Sequence, residues 1–376
     1  MKGMATAKNN KLVKMLCVAI TGSLLLTSTM FAGCSKKNDS GNEPSAATDD
    51  SSEPTTELSY ETRKTTYAPG PSLKDYCSNI YAVRGPYLKD SVTYDKELIG
   101  GSNTSSDTAA SEKYLYTFNY HTRDLNVYQI KDISSMNFKF VTSVPIEGPV
   151  ESKSVGLADG DQLTIYPISD DSYSFFFVES TKEKETVLSC FDSMHVCSDG
   201  QTIFCSVESK LHYDPATKSV TTEPFSLDSA IDLEEYYYDR EFITEDRIFV
   251  RVSERFGYQL PHVFVYDLDG HFIREIQDNP RTDLYFQAMY DYDGKLLVYN
   301  VVKGGSIEFW DKEGNYIAGI TLQELGLHQN DVFTFNIGSV LKYGDYGDFI
   351  LICSEAFDSE KTHTVTDLVY RIHIIS

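Results

Sequence analysis

A unit of strand, tight turn and strand recurs from about residue 75 to the end of the chain. The sequence Tyr-Asp-Leu-Asp-Gly-His-Phe at 266–272 is echoed by Trp-Asp-Lys-Glu-Gly-Asn-Tyr at 310–316, an offset of 44 residues, and 211–220 resembles a degenerate third copy. A second kind of turn recurs at 199–200, 245–246, 293–294 and 346–347, with spacings of 46, 48 and 53 residues. Repeats of this length with two hairpins each indicate four-stranded units that stack on their neighbours, because one sheet cannot bury both faces alone.

The runs between these turns have the length and composition of β-strands. They are rich in β-branched and aromatic residues, which favour strands, and the chain contains 26 Tyr and 21 Phe. We therefore predict an all-β fold, a β-propeller of six four-stranded blades, with five to eight blades also compatible with the spacing. The blades are expected near residues 112–148, 150–192, 193–232, 235–280, 285–325 and 332–376. A two-sheet β-sandwich array is the structural alternative.

Both ends of this repeated region carry strand-like sequence. Runs at 80–83 and 91–94 are expected to supply a closing strand to the last blade or part of a seventh blade. The run 370–375 is apolar and would be an exposed edge unless paired, so we place it inside the last blade. Helical patterns are rare. One turn is predicted at 321–326, and one short helix is predicted within 226–238.

The first 33 residues have the three parts of a secretory signal peptide. Four lysines precede an apolar stretch at 15–26, and Phe31, Ala32 and Gly33 lead to Cys34. The stretch is short and followed by polar residues, which argues against a membrane-spanning helix. The residues around Cys34 resemble a bacterial lipobox, in which the cysteine receives a diacylglyceryl group and the signal is cut before it, although Phe31 stands where Leu is usual. We predict lipidation at Cys34.

Residues 34–74 are predicted to be the lipidated cysteine and a disordered acidic tether. The segment is rich in Ser, Thr, Asp and Glu, and Leu58 is the one aliphatic residue larger than Ala within 35–70. Such a segment cannot bury enough apolar surface to offset its ordering entropy. As a coil it would span about 30 to 36 Å. The propeller domain is then expected at 75–376.

The chain is strongly acidic, with a net charge of −23 at pH 7. Phosphate backbones repel such a surface, so nucleic acid is excluded as a partner. Direct adsorption to anionic lipid is disfavoured for the same reason. We expect contact with the membrane through the lipid on Cys34, and an unknown protein, peptide or glycan as ligand.

Five cysteines remain beyond the signal and the lipid site, so disulfide bonds cannot pair them all. They are Cys77, Cys190, Cys197, Cys205 and Cys353. The chain has no C-x-x-C motif and no histidine at zinc-finger distance from this group. Small buried thiols without a metal are the expectation for most of them, and their pairing stays open.

Motifs for catalysis or cofactor binding are absent from the sequence. It contains no nucleophile elbow, phosphate loop, dinucleotide fingerprint or H-E-x-x-H, so we predict no catalytic residue, metal or cofactor. The turns at 267–270 and 291–294 resemble the opening of a calcium loop, but both lack the third ligand position and the closing glutamate. We interpret them as hairpin turns. His373 alternates with isoleucines and is interpreted as a surface or structural residue.

The densest acidic and aromatic cluster lies at 232–239. It consists of Asp232, Glu234, Glu235 and Asp239 around Tyr236, Tyr237 and Tyr238. Stacking and charge could bind a sugar or a cationic peptide here. A decorated loop between blades is the plainer interpretation.

The lipobox, the acidic tether and the Tyr-Asp-x-x-Gly hairpins together resemble bacterial lipoproteins with a TolB-like six-bladed β-propeller domain. The resemblance implies the fold, a cell-envelope location and often a binding role, and Cys34 is the one functional residue that matches. We therefore expect a lipid-anchored, extracytoplasmic, non-enzymatic binding or scaffold module at the cell surface. The alternative is a propeller enzyme acting on glycans, which would hold two carboxylates roughly 5–9 Å apart in a central pocket.

Overall fold

Antiparallel four-stranded sheets account for all the strands that the structure describes. The computed structural model describes residues 70–95, 107–119, 122–146, 152–168, 175–189, 194–205, 209–228, 231–232, 234–256, 261–276, 284–300, 305–327, 335–343, 348–358 and 362–375. Within these ranges the strands form six sheets, numbered here 1 to 6 in chain order. Five sheets consist of four consecutive strands, and sheet 6 combines the first strand with the last three.

The strand bounds follow the predicted repeats closely. Sheet 1 contains β2 Asp107–Ala110, β3 Tyr114–Asn119, β4 Asp124–Asp132 and β5 Asn137–Pro145. Sheet 2 contains β6 Lys153–Gly156, β7 Gln162–Pro167, β8 Phe175–Ser180 and β9 Glu185–Ser189. Sheet 3 contains β10 His195–Val196, β11 Thr202–Phe204, β12 Ser209–Asp214 and β13 Ser219–Pro224. Sheet 4 contains β14 Tyr236–Ile243, β15 Ile248–Glu254, β16 Pro261–Tyr266 and β17 Phe272–Ile276. Sheet 5 contains β18 Phe286–Tyr292, β19 Lys295–Asn300, β20 Ser306–Trp310 and β21 Tyr316–Thr321. Sheet 6 contains β1 Asn79–Asp95, β22 Phe335–Tyr343, β23 Asp348–Asp358 and β24 Thr362–Ile375.

The two kinds of turn found in the sequence join equivalent strands. The turns at 199–200, 245–246 and 293–294 join the first and second strands of sheets 3, 4 and 5, and 346–347 lies outside the described residues. The Asp-x-x-Gly turns join the third and fourth strands. In one of them Asp267 Oδ1 accepts the backbone N–H groups of Asp269 at 3.0 Å and His271 at 2.9 Å. The Asp267 side chain thus stabilises the hairpin by accepting hydrogen bonds from backbone groups of the same turn.

Hydrophobic clusters lie between each sheet and the next. Tyr116 and Phe177 belong to the cluster between sheets 1 and 2. Corresponding clusters join sheets 2 and 3, 3 and 4, 4 and 5, and 5 and 6. Leu115 and Ile350 belong to a cluster that joins sheet 6 back to sheet 1. Stacking of this kind buries both faces of each sheet and confirms the predicted all-β propeller with four-stranded blades.

Strands from the two ends of the described chain meet in sheet 6. The order is β1–β24–β23–β22, so β24 lies between β1 and β23. β1 pairs with β24 from Asn79 opposite Ile375 to Asp95 opposite Thr362, with irregularities between Arg84 and Ser91. The structure therefore confirms that 370–375 lies inside the last blade and that 80–95 supplies its closing strand.

Packed structure begins before residue 75. Residues 70–74 were expected in the tether, yet Leu73 is 0% exposed and starts a 3-10 turn, Leu73–Asp75. Leu73 belongs to the cluster between sheets 5 and 6, so burial of its side chain helps to hold the segment on the domain. The signal, Cys34 and residues 34–69 lie outside the described residues.

The two helical predictions had different outcomes. The helix within 226–238 is wrong, because 226–228 has no regular secondary structure, 234–235 forms a turn and β14 begins at Tyr236. The turn at 321–326 is confirmed: Thr321 Oγ1 accepts the N–H of Glu324 at 3.2 Å, Glu324 Oε2 accepts the N–H of Thr321 at 2.9 Å, and Gly326 has φ +78°. Within the described ranges, no helix has the length and apolar character needed to span a membrane.

Candidate functional site

The cluster predicted at 232–239 lies at one end of sheet 4. The turns at 245–246 and 267–270 lie at the opposite end of this sheet. In this sheet Tyr236 of β14 pairs with Glu254 of β15, and Phe264 of β16 pairs with Glu275 of β17. The strand register therefore gathers side chains that are distant in sequence. We call the group Glu235, Tyr236, Glu254, His262 and Glu275 the acidic end of sheet 4.

Tyr236 is the aromatic centre of the acidic end. Its half-buried ring meets the His262 ring edge-on, with centroids 5.1 Å apart, and the Phe264 ring with centroids 6.2 Å apart. Burial raises the pKa of the Tyr236 hydroxyl. Four carboxylates raise it further, those of Glu235, Glu275, Glu254 and Asp232. A neutral hydroxyl and an aromatic ring therefore lie within a strongly negative environment.

His262 faces carboxylates on both sides. Its Nδ1 lies 2.7 Å from Glu275 Oε1, and its Nε2 lies 3.6 Å from Glu254 Oε1. The two glutamates come from the neighbouring strands β15 and β17, which flank β16. The single imidazole of His262 therefore lies against two carboxylates. Even a protonated imidazole could balance only one of them, so the net charge of this group stays negative.

Two residues that follow β15 border the acidic end. Arg255 Nε donates to the backbone oxygen of Tyr236 at 2.8 Å, and its N–H donates to the backbone oxygen of Glu235 at 2.8 Å. These bonds fix the connection into sheet 4 against β15. The next residue, Phe256, is 80% exposed, so an apolar ring faces solvent two positions after Glu254.

Asp239, one of the predicted cluster residues, belongs to a different group. It is the extra residue of a bulge, because Tyr238 pairs with Val252 and Arg240 pairs with Arg251. Its Oδ2 accepts Arg251 Nε at 2.9 Å and also lies 2.9 Å from Arg251 Nη2. Arg251 donates as well to the backbone oxygen of Phe286 in sheet 5. Asp239 therefore neutralises a buried arginine between sheets 4 and 5.

The remaining predicted cluster residues divide between surface and core. Asp232 and Glu234 are exposed in the connection into β14, where Asp232 Oδ1 accepts the Glu234 N–H at 2.8 Å. Tyr238 packs against the cluster between sheets 3 and 4. Sequence reasoning missed Glu254, His262 and Glu275. The turns at 245–246 and 267–270 set the register only as far as a bulge in each hairpin, so counting pairs outward from the turns gives partners that are off by one residue.

A second pair of carboxylates, Asp161 and Glu179, lies between sheets 1 and 2. They are 3% and 2% exposed. Glu179 Oε2 accepts Tyr116 at 2.5 Å and Ser111 at 2.6 Å, while Asp161 Oδ2 accepts Tyr114 at 3.0 Å. Burial raises the pKa of Glu179. This pair joins two blades and is closed to solvent, whereas a glycosidase must expose both carboxylates to its substrate.

The turn at 267–270 remains a hairpin turn in the structure. Asp267, Asp269 and His271 place possible ligand atoms within 4.8 Å of one another. Asp269 and His271 are exposed, and Asp267 already accepts two backbone N–H groups of its own turn. In the turn at 291–294, Asp291 Oδ2 accepts the Glu245 N–H at 2.6 Å, and its other oxygen pairs with Lys312. Both aspartates thus have structural roles.

Three of the five cysteines have described side chains, and none of these three forms a disulfide. Cys205 belongs to the cluster between sheets 2 and 3, whereas Cys197 belongs to the cluster between sheets 3 and 4. Cys197 and Cys205 therefore lie on opposite faces of sheet 3. Burial raises the pKa of Cys77 and Cys197 and raises that of Cys205 to about 12. The side chains of Cys190 and Cys353 lie outside the description.

Comparisons with known proteins match the chain by structure alone. No protein-family model and no curated protein sequence matches it. It is similar to Raptor from Chaetomium thermophilum, with 9% identity and a TM-score of 0.33 over 73% of this chain and 29% of that chain. The polysaccharide lyase Uly1 matches with 8% identity and a TM-score of 0.39 over 80% of this chain and 100% of that chain.

A third match is the β-propeller domain of the Trilobed protease from Pyrococcus furiosus. The identity is 13% and the TM-score 0.31, over 75% of this chain and 84% of that chain. The chain thus spans less than a third of Raptor and most of the other two.

Proposed function

We propose that this chain is a lipid-anchored, extracytoplasmic, six-bladed β-propeller lipoprotein of TolB-like type that binds a cationic peptide without catalysing a reaction. Its ligand site is the acidic end of sheet 4. The observation that carries the proposal is the Tyr236 hydroxyl, on which four carboxylates act while one imidazole, His262, faces two of them. The lipid anchor and the envelope location rest on the sequence around Cys34.

The chemistry of the acidic end suits lysine or arginine side chains. A cation over the ring of Tyr236 gains a cation–π contact, and the carboxylates of Glu254 and Glu275 attract it at the same place. The exposed ring of Phe256 offers an apolar contact to a neighbouring residue of the same peptide. The overall charge of −23 adds long-range attraction for a cationic partner.

The enzymatic alternative needs two carboxylates that a glycan can reach. Within the described residues, Asp161 and Glu179 form a hydrogen-bonded acidic cluster, and both are almost completely buried. At the acidic end, His262 contacts both Glu254 and Glu275, so its ring occupies the space between these two carboxylates. Binding is therefore the better-supported function.

Fluorescent hexalysine tests the ligand site. It is titrated into the full-length protein in detergent, and fluorescence anisotropy reports binding. The Glu254→Gln, Glu275→Gln double variant should bind about tenfold more weakly, because two attracting charges are removed at the site. The Glu183→Gln, Glu223→Gln double variant carries the same change in net charge at exposed positions on other sheets and should bind like the unchanged protein.

Equal affinity of the two double variants would contradict the proposed site, since it would mean that net charge alone attracts the peptide. A panel of glycosides tests the alternative function. We expect no turnover. If a glycoside were hydrolysed, and if substitution of two facing carboxylates abolished that activity, catalysis would become the better-supported function.

A further inference from the structure

Residues 70–78, called here the strap, run from sheet 5 to sheet 6 before β1 begins. Ser72 forms a parallel bridge with Gly319 of β21, and the Gly319 N–H donates to the backbone oxygen of Pro71 at 3.1 Å. At the other end Ser78 Oγ donates to the backbone oxygen of Ile375 in β24 at 2.9 Å. The strap therefore contacts the outer strand of one blade and the ring-closing pair of the next.

Two apolar side chains anchor the strap. Leu73 is 0% exposed and Cys77 is 8% exposed, and both belong to the cluster between sheets 5 and 6. The Cys77 N–H donates to the backbone oxygen of Leu73 at 3.0 Å, which ties the two anchors together. Release of the strap would expose both side chains while leaving the pairing of β1 with β24 in place.

The ring of Tyr316 fixes where the strap docks. A Cβ atom at Gly70 would lie 2.8 Å from Tyr316 Cε1, and one at Gly319 would lie 2.7 Å from the Tyr316 hydroxyl. Trp310 holds the ring edge-on, with centroids 5.7 Å apart. Glycine at position 70 therefore allows the strap to lie directly on Tyr316, and any larger residue must displace one or the other.

We propose that the strap is a latch for the ring: it releases sheet 5 in a local opening step that precedes separation of β1 from β24. The strap is held by one backbone bridge, one side-chain hydrogen bond from Ser78 and two anchoring side chains, whereas β1 pairs with β24 from Asn79 to Asp95. Local openings with few buried contacts need less free energy than global unfolding. If Cys34 is the lipid anchor, tension through the intervening chain acts on the latch first.

Native-state thiol labelling of the unmodified full-length chain tests the latch. Iodoacetamide is applied in increasing urea, and mass spectrometry of peptides measures labelling at each cysteine separately. Cys77 lies in the strap, and Cys205, which packs partly buried against the cluster between sheets 2 and 3, serves as an internal reference. We expect the labelling rate of Cys77 to rise at urea concentrations below the unfolding transition, and that of Cys205 to rise only within it. The same urea dependence for both thiols would overturn the proposal.

A matched pair of glycine variants makes the test sharper. Gly70→Val places a side chain against Tyr316, whereas a Cβ at Gly156 in β6 meets no atom within 4 Å, so Gly156→Val serves as control. In Gly70→Val without urea, Cys77 should be labelled about tenfold faster and Cys205 at an unchanged rate. Unchanged Cys77 labelling, or equal acceleration at both cysteines, would overturn the latch. Neither result depends on lipidation or on ligand binding.

Discussion

The hydroxyl of Tyr116 donates a hydrogen bond of 2.5 Å to Oε2 of Glu179 across the interface between sheets 1 and 2. Ser111 donates to the same oxygen at 2.6 Å. Burial raises the pKa of Glu179, Asp161 raises it further, and the two hydroxyl donors and Lys113 oppose this rise. The carboxyl therefore binds its proton more tightly in the folded protein than in the unfolded chain.

Glu179→Gln should change how the stability of the protein depends on pH. Because the folded pKa lies above the ordinary value of 4.5, the contribution of this carboxyl to stability is full below that value and is lost as pH rises through the folded pKa. The Tm of the unchanged protein minus that of Glu179→Gln should therefore fall as pH increases above 4.5. Exposed Glu183→Gln is the control, and a difference independent of pH would contradict the prediction.

Gly270→Ala should destabilise the protein more than Gly200→Ala. Both glycines have positive φ, +91° and +67°, so each substitution strains the backbone by about 1–2 kcal/mol. A Cβ at Gly270 would also lie 2.4 Å from the backbone oxygen of Ser226, whereas a Cβ at Gly200 meets no atom within 4 Å. Urea unfolding measures the difference. Equal losses would show that the 225–228 segment moves away without cost.

Deletion of residues 370–376 should unfold the domain or cause aggregation. It removes the part of β24 that pairs with Asn79–Arg84 and takes Ile372 and Ile374 out of the cluster between sheets 5 and 6. Each fully buried aliphatic side chain contributes about 1.5–3 kcal/mol. Size-exclusion chromatography and thermal denaturation provide the measurement, with deletion of Ser376 alone as control. An unchanged Tm would argue against ring closure by this strand.

Cys34→Ala should abolish lipid labelling of the protein in cells and leave its signal uncut by the lipoprotein peptidase. The prediction rests on the charged start, the short apolar stretch and the small residues that lead to this cysteine. Incorporation of labelled palmitate is the measurement, and Cys77→Ala, which alters a thiol beyond the tether, is the control. Persistent labelling of Cys34→Ala would rule out this lipid site.

Much of the ring could be predicted because its turns have strict chemical requirements. The 44-residue offset placed Tyr266 and Trp310 at the ends of equivalent third strands. The apolar run at 370–375 had to be paired, and the structure confirms its partner. Leu73 escaped prediction because a single leucine in a polar segment gives no periodic signal, although its side chain is one of the two that anchor the strap.

The candidate site was harder to predict because its residues come from four strands. Acidity and tyrosine content pointed to Tyr236, yet Asp239 was misassigned because a bulge turns it toward Arg251. Glu254 and Glu275 are 21 positions apart in sequence, and they meet His262 through sheet register alone. Asp161 and Glu179 were missed for the same reason, because carboxylates that pair in space have no characteristic spacing in the sequence.

The pairing of β1 with β24 also constrains the order of folding. Ser78 and Ile375, which meet at this seam, are 297 positions apart. Sheets 1 to 5 each need only four consecutive strands, whereas sheet 6 needs strands from both ends of the described chain. Closing so long a loop is entropically costly and slow. We therefore expect sheet 6 to assemble last and to limit the folding rate, which would leave the faces of sheets 1 and 5 that it covers open to misassociation with other chains until then.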